Sequence, residues 1–200
     1  LIACMRYCAE HALPYKVRGA GHSSGGQALI AGGVVIDLRR LSRILDDRPT
    51  DQTITVEGGA PWLTLIEHLM PQRRRPMTLI GNPWATVAGT LAVGGFGDTS
   101  HIHGLTIANV TELVVITPDG EQHTVGPADE LFRFVLAGRG QLGVIAAATL
   151  RTMRRPGTCV GRTLRWRNLT GFLHDARQIA AHRLYEMFRP RFVWLPDHDE

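Results

Sequence analysis

The feature that most constrains this chain is a glycine-rich segment from Gly19 to Gln27, which lies between two short β-prone runs. Four glycines and two serines among its nine residues disfavour both helix and strand. Because glycine adopts positive φ without steric cost, such a segment can turn successive backbone N–H groups inward and form a nest for an anion. His22 lies in the middle and is the side chain there that can act as a neutral nucleophile near pH 7. The segment therefore indicates a phosphate cradle suited to a covalently held nucleotide cofactor.

Two other structures share features with this segment. One is an ordinary glycine-rich turn in which His22 is a solvated residue, and the segment alone leaves that interpretation open. The other is a Rossmann fingerprint, in which a helix begins at the loop and meets the pyrophosphate. Ser24 stands where that fingerprint needs its third glycine, and only about ten residues precede the next strand-like run, too few for a crossover. The Rossmann interpretation is therefore disfavoured.

Composition narrows the classes of function. The 200 residues are 44% hydrophobic and 20% charged, which is typical of one large or two small globular domains. No apolar run approaches the length needed to cross a bilayer. The arginines behind the formal charge of +4 are scattered and do not alternate with aromatic residues. We therefore expect neither a membrane nor a nucleic acid as a partner.

Two smaller features have plain interpretations. The cysteines, Cys4, Cys8 and Cys159, show no metal-ligand spacing, and a disulfide framework is not indicated. The one basic run, Arg73-Arg74-Arg75, stands before Pro76. A solvated turn is its simplest interpretation, and an anion or partner site is the alternative.

Hydrophobic patterning predicts an α+β fold. The predicted strands cover residues 15–18, 34–38, 44–46, 53–57, 109–117, 121–125 and a last apolar run from 144 to about 151. The predicted helices cover residues 1–11, a segment opened by Pro61, and residues 128–135. In the helix after Pro61, apolar residues share one face and are expected in the core: Trp62, Leu65, Ile66 and Leu69.

The two ends of the chain indicate a longer protein. Residues 1–11 are helical in pattern from the first position and carry no start signal, so we expect this segment to be internal and leave the compartment unassigned. After Pro156 and Gly157 the pattern changes to a strand over 162–166, a helix over 169–184 and a strand over 191–195. These elements predict the beginning of a second domain.

A second informative stretch covers residues 81–97, where small residues recur on nearly every turn. Such a segment lets a backbone approach a flat group, or it packs a helix closely against a sheet. Asp98, His101 and His103 follow it. On a strand the two imidazoles would face the same side. The sequence does not identify the further ligands that a zinc site would need, so no metal is predicted.

A third glycine-rich loop, residues 137–143, feeds the last apolar strand. Three such loops in this order resemble the FAD-linked oxidoreductases of the vanillyl-alcohol oxidase and p-cresol methylhydroxylase (PCMH) type, and most closely the cytokinin dehydrogenase-like oxidases. Their Arg-Gly-x-Gly-His-Ser-x-x-Gly-Gln loop stands at residues 18–27. Their Thr-Val-x-Gly-Thr-Leu segment stands at 86–91, and their Gly-x-Gly-Gln-x-Gly-Val-Ile strand entry at 138–145.

The resemblance implies a PCMH-type FAD-binding domain of two α/β subdomains over residues 1–155, followed by the start of a substrate-binding cap domain over 156–200. It implies an oxidase or dehydrogenase acting on CH–OH or CH–NH donors, which passes a hydride from a small organic substrate to flavin N5, with oxygen or another acceptor reoxidising the flavin. His22 matches the residue that bonds to the flavin 8α-methyl. The implied cofactor-binding residues are Arg18, Gly19, Ala20, Gly21, His22, Ser23, Gln27, Gly81, Thr86, Ala92, Phe96, Val144 and Ile145.

The chain departs from the family pattern at two points. Gly81 stands where cytokinin dehydrogenases carry an aspartate as catalytic base, five residues before Thr86, so cytokinin is not the expected substrate. The segment before Gly94 lacks the cysteine of doubly linked relatives, so a single histidyl bond is expected. The catalytic base stays unassigned, with His101 and His103 as candidates. The alternatives are a truncated or non-catalytic FAD- or nucleotide-binding module and a metal-dependent hydrolase.

Overall fold

In a computed structural model, residues 1–191 are described, and they form a two-stranded parallel sheet and a six-stranded antiparallel sheet with helices packed around them. The strands are β1 (Tyr15–Arg18), β2 (Val34–Asp37), β3 (Ile44–Arg48), β4 (Thr53–Glu57), β5 (Arg74–Pro76), β6 (Val110–Ile116), β7 (Gln122–Val125) and β8 (Val144–Arg154). The α-helices are α1 (Ile2–Glu10), α2 (Trp62–Leu69), α3 (Val87–Leu91), α4 (Ser100–His103), α5 (Glu130–Val135) and α6 (Leu169–Ala181). Two 3-10 turns cover Met70–Gln72 and Thr106–Asn109. The predicted α+β class is confirmed.

The small sheet presents the first glycine-rich loop. β1 and β2 pair in parallel register, with Tyr15 opposite Val34 and Arg18 opposite Asp37. Residues 19–33 connect them without a helix. A Rossmann crossover is therefore absent, as the spacing indicated.

β8 is the central strand of the large sheet. The order β3-β4-β8-β6-β7 places it between β4 and β6, and β5 pairs with its last residues. β6 and β7, which correspond to the strands predicted over 109–117 and 121–125, form an antiparallel hairpin. Since β8 runs for 11 residues, it extends from the third glycine-rich loop to the opposite edge of the sheet.

One contiguous hydrophobic core joins the two sheets, because Met5 and Ile36 belong to the same cluster as Leu113 and Leu150. α2 contributes its predicted face: Trp62, Leu65 and Leu69 are buried and Ile66 is half-buried. The Trp62 indole N–H donates to Thr90 Oγ1 over 2.9 Å inside this core. Trp62 is therefore a core residue, as predicted.

The solvated-turn interpretation of the arginine run is wrong for two of its three members. Arg73 is exposed, but Arg74 and Arg75 lie on β5, and Arg75 is only 5% exposed. Pairing with the end of β8 buries the Arg75 guanidinium, which donates to the carbonyls of Pro76 and Met77 over 3.0 and 2.8 Å and also pairs with Glu186. Burial lowers the pKa of Arg75, although Glu186 opposes that shift.

The predictions for the last part of the chain need two corrections. Residues 162–166 form no strand, because the Trp166 indole donates to Asp175 over 2.8 Å and its ring packs edge-on against Phe172, so this segment folds back on α6. α6 ends at Ala181, before the predicted 184, and Arg183 then takes a positive φ of 49°. The strand predicted over 191–195 lies outside the described residues from 192 onward. Within the described part of the chain, no helix has the length and apolarity that a membrane span requires.

We expect the contribution of the Arg43–Glu57 ion pair to the stability of the fold to be lost at acidic pH. Glu57 is buried at the end of β4. The Arg43 guanidinium and backbone N–H both donate to its carboxylate over 2.8 Å. The side-chain hydrogen bond from Arg43 lowers the pKa of Glu57 more than burial raises it. Because the pKa of Glu57 is lower in the folded state than in the unfolded state, the ionised carboxylate stabilises the fold above the unfolded-state pKa of about 4.3. This stabilisation is lost as the pH falls through the folded-state pKa.

Glu57→Gln should therefore lower the free energy of unfolding at pH 7 by about 1 kcal/mol, and its difference from the wild type should shrink below about pH 4. Urea unfolding at several pH values measures both effects. The exposed Glu67→Gln on α2 is the control and should change little. Equal stability of Glu57→Gln and wild type at pH 7 would contradict the assignment.

Candidate cofactor site

Helix α3 brings the first and third glycine-rich loops together. A Cβ on Gly19 would lie 2.1 Å from Thr86 Oγ1, at the residue that caps the start of α3. At the other end, the Ala137 N–H donates to the Leu91 carbonyl over 2.9 Å. One short helix therefore fixes the position of both loops.

The capping residue and its surroundings are locally rigid. Thr86 Oγ1 accepts from the Gly89 N–H over 3.3 Å, and Thr90 is held by Trp62. The Ala88 N–H donates to the Gly58 carbonyl over 2.8 Å and so attaches α3 to the end of β4. Helix α3 is thus anchored to the large sheet by contacts that involve neither loop.

Close packing accounts for part of the small-residue stretch. A Cβ on Gly95 would lie 2.5 Å from Thr106 Oγ1, and one on Gly97 would lie 1.9 Å from the Leu79 carbonyl oxygen. These glycines pack against neighbouring backbone and side chains. In contrast, the large side chains of Trp84, Val93 and Phe96 are 62, 64 and 74% exposed. The sequence motif indicated Phe96 but gave no signal for Trp84 or Val93.

The first loop leaves most of its backbone amides without a partner in the described part of the chain. Gly21 and Gly26 have φ values of 75° and 73°. No backbone N–H of residues 19–24 donates a hydrogen bond to any part of the chain that the structure describes. The Gly25 N–H does donate, to Gln27 Oε1 over 3.0 Å, and His22 is exposed. A row of amides free to donate is what an anion-binding nest requires.

Arg18 adds positive charge to this loop. Its guanidinium folds over Gly21, since a Cβ there would lie 2.9 Å from Arg18 Nη2. Its Nε is buried and has no hydrogen-bond partner among residues 1–191. An orphaned buried donor beside free amides fits a diphosphate group, whose oxygens accept from both.

Gly81 lies beside a carboxylate that the sequence did not connect with it. The Ile80–Gly97 bridge brings Asp98 close, so that a Cβ on Gly81 would lie 3.7 Å from Asp98 Oδ1. Asp98 is 7% exposed, and Arg189 Nε donates to both carboxylate oxygens over 3.0 Å. Gly81 itself is exposed.

The two candidate histidines lie on helix α4 and not on a strand, so they do not form a same-side pair. His101 Nε2 donates to the Tyr185 carbonyl over 2.8 Å, and His103 Nε2 to Glu186 over 3.1 Å. Both imidazoles therefore hold the segment that follows α6. Among the described residues, no three His, Cys, Asp or Glu side chains are grouped as metal ligands.

The remaining predicted contacts differ in accessibility. Val144 and Ile145 are 5 and 4% exposed, so their side chains belong to the core. Ala20 and Ala92 are half-buried, whereas Ser23 and Gln27 are exposed. Among the implied contacts, the exposed side chains are those of His22, Ser23 and Gln27 in the first loop and of Phe96 after α3. Val144 and Ile145 can contribute mainly backbone.

Comparison with known proteins decides the family. Residues 1–126 match a family model described as FAD binding domain. This chain belongs to that FAD-binding family. The resemblance inferred from the three loops is confirmed, and FAD is the cofactor that the family binds.

The relatives of this FAD-binding domain are oxidoreductases by name. It is 36% identical over 189 residues to "Uncharacterized oxidoreductase ORF5 in fasciation locus" of Rhodococcoides fascians, covering 94% of this chain and 43% of that protein. It is 32% identical to cytokinin dehydrogenase 7 of Oryza sativa subsp. japonica, covering 91% of this chain and 36% of that protein. It is also 32% identical to cytokinin dehydrogenase 4 of Arabidopsis thaliana, covering 81% of this chain and 32% of that protein. The chain thus spans less than half the length of these relatives.

The contact between Gly19 and Thr86 predicts the effect of Gly19→Ala. The added methyl would meet the Thr86 hydroxyl at 2.1 Å and its Cβ and Cγ2 at 3.2 and 3.3 Å, so the loop must move away from α3. We expect FAD occupancy after purification to fall about tenfold, because a displaced cradle loses aligned donors. Thr86→Ala in the same chain should restore part of it.

Absorbance of bound flavin per protein measures this occupancy, and circular dichroism checks the fold. Gly161→Ala is the matched control, since its Cβ would meet nothing within 4 Å. Wild-type flavin content in a folded Gly19→Ala protein would show that this contact does not position the cofactor loop.

Proposed function

We propose that the protein is an FAD-dependent oxidoreductase that carries FAD bonded to His22 and oxidises a small organic substrate by hydride transfer to flavin N5. The observation that carries this proposal is the first loop, in which the exposed His22 lies among the unpaired amides of residues 19–24. Bound FAD supplies the hydride acceptor, and oxygen or another acceptor removes the electrons afterwards.

Different residues of the first loop would contact different parts of FAD. The amides of residues 19–24 and the Arg18 guanidinium donate to the diphosphate, which they would hold without needing a metal ion. Gln27 is a further polar contact at the rim, although its side-chain oxygen already accepts from Gly25. An imidazole nitrogen of His22 would hold the flavin through a bond to its 8α carbon in place of one methyl hydrogen. The two electrons left on the ring would pass to the same acceptor that reoxidises it after turnover. Because the imidazole substituent withdraws electrons from the ring, it makes the flavin a better hydride acceptor.

The exposed apolar side chains of Trp84, Val93 and Phe96 are suited to cover a flat aromatic group. We assign these three residues, with Ala92 and the backbone at Val144 and Ile145, to the walls of the flavin site. Their role is to exclude water from the ring.

The domain organisation follows from this assignment. We propose that residues 1–155 form an FAD-binding domain of two subdomains that enclose the flavin, and that residues 156–200 begin a substrate-binding cap. In support, α6 and the segment after it follow the last strand of the large sheet, and Phe188 N–H donates to the Asp98 carbonyl over 2.8 Å. Substrate would then enter between the cap and the exposed surface around Gly81.

The residue at position 81 bears on the substrate. Several relatives are named cytokinin dehydrogenases, but Gly81 provides no side chain to accept a proton from a substrate amine. The nearby Asp98 carboxylate is neutralised by Arg189. We therefore propose a substrate other than a cytokinin, and we retain His101 and His103 as candidates for proton transfer.

The covalent bond is tested by acid precipitation of the purified protein. Wild-type protein should keep its yellow colour in the pellet, because denaturation abolishes every non-covalent contact but leaves a histidyl bond intact. His22→Ala should release flavin into the supernatant, and His123→Ala on β7 should behave like the wild type. A coloured His22→Ala pellet would refute the assignment.

The substrate proposal is tested by steady-state oxidation of isopentenyladenine. General base catalysis typically contributes a factor of about 10² to 10⁴, so wild type and Gly81→Asn should turn this substrate over poorly. Gly81→Asp should raise kcat/KM, since a Cβ at this position has ordinary contact distances of 3.7 and 3.9 Å to Asp98 and Arg189. Efficient turnover by the wild type would contradict the proposal.

A further inference from the structure

A cavity of about 330 Å³ opens where the turn between β3 and β4 meets the ends of β5 and β8. Three of its lining residues are arginines, Arg73, Arg74 and Arg154, and two are glutamines, Gln52 and Gln72. Its size is at the lower end of the range of about 300–1,000 Å³ seen for small-molecule sites. The lining indicates a negatively charged ligand.

The sheet register places like charges together here. Arg74 and Arg154 stand directly opposite each other in the antiparallel β5–β8 pair, an arrangement that destabilises a sheet unless an anion compensates it. Arg73 adds a third cation, and its carbonyl accepts from the Arg155 N–H over 2.7 Å, which fixes it beside the end of β8. Arg73 also takes a positive φ of 55°.

Carboxylates of the chain compensate only one of these three cations. Asp47 Oδ1 accepts from Arg74 Nη1 over 2.5 Å, and its second oxygen accepts from His68 and Gln72. Neither Arg73 nor Arg154 makes an ion pair within residues 1–191. Two exposed guanidinium groups therefore remain without a counter-charge around one cavity.

Arg74, which also lines the cavity, has one donor without a partner among the described residues. Its side chain is only 10% exposed, yet its Nε is buried without a hydrogen-bond partner in the described part of the chain. Its other nitrogens are satisfied by Asp47, Thr152 and the Thr53 carbonyl. Buried donors without a partner are uncommon in folded proteins.

This cavity is remote from the proposed flavin site. Val144 begins β8 next to the third glycine-rich loop, and Arg154 ends it at the cavity. At a rise of about 3.4 Å per residue, the two ends of β8 are roughly 30 Å apart. The cavity therefore does not belong to the diphosphate cradle.

We propose that this cavity binds the phosphate group of a small molecule, either free phosphate or a phosphate monoester. A phosphate dianion compensates the two unpaired guanidinium charges, whereas a single carboxylate compensates one. Arginine presents parallel N–H donors that match two phosphate oxygens at once. Arg73 and Arg154 bind the phosphate, and Arg74, held by Asp47, lines the base of the site.

Calorimetric titration of the intact protein with inorganic phosphate, at constant ionic strength maintained with chloride, tests the proposal. In the FAD-free protein the empty diphosphate cradle can take up a second phosphate, so we expect saturable binding of one phosphate at this cavity in the FAD-loaded protein. Arg73→Gln with Arg154→Gln should weaken it about tenfold or more. Both residues are exposed, so the double variant should fold, and circular dichroism checks this. Arg177→Gln on the exposed face of α6 is the matched control and should bind like the wild type.

A second titration with phenyl phosphate distinguishes the two ligand sources. Tighter binding than inorganic phosphate identifies a monoester site, and equal or weaker binding identifies a site for free phosphate. Absence of saturable phosphate binding, or equal affinity in the double variant and the wild type, would overturn the proposal. Because FAD loading is varied separately, failure here is distinct from failure of the proposed oxidoreductase function.

Discussion

The contact between Gly19 and Thr86 is the constraint on which the site depends. It joins the small parallel sheet, which presents the first loop, to helix α3, which is itself attached to the large sheet through Gly58. Only glycine leaves room for the Thr86 side chain at this distance. The third loop is bonded to the far end of the same helix through Leu91. Motifs separated by more than a hundred residues thus acquire a fixed relation through one five-residue helix.

The chemistry of the loop follows from donors left without acceptors. Backbone N–H groups that make no hydrogen bond within a helix or sheet, together with the buried Nε of Arg18, favour the binding of a negatively charged group. The same physical logic applies at the opposite end of β8, where Arg74 and Arg154 face each other. The two sites differ in kind: the first relies on backbone amides and the second on guanidinium groups.

Sequence patterns predicted what local interactions determine. The hairpin of β6 and β7, the buried face of α2 and the absence of a Rossmann crossover all follow from periodicity and spacing within a few residues. The burial of Arg75 could not be read this way, because it depends on pairing with a strand almost eighty residues further along. The prediction of a strand over 162–166 was wrong for the same reason, because the Trp166 indole bonds to Asp175 on α6. The contacts of His103 likewise depend on Glu186, which the local pattern around α4 does not reveal.

Amide hydrogen exchange of residues 19–24, measured with and without FAD, shows whether the backbone of the first loop binds the diphosphate. We expect rapid exchange in the FAD-free protein, because these amides have no acceptor in the described chain, and strong protection once the diphosphate accepts from them. Unchanged exchange at these residues in a protein saturated with FAD would show that the cofactor is held elsewhere.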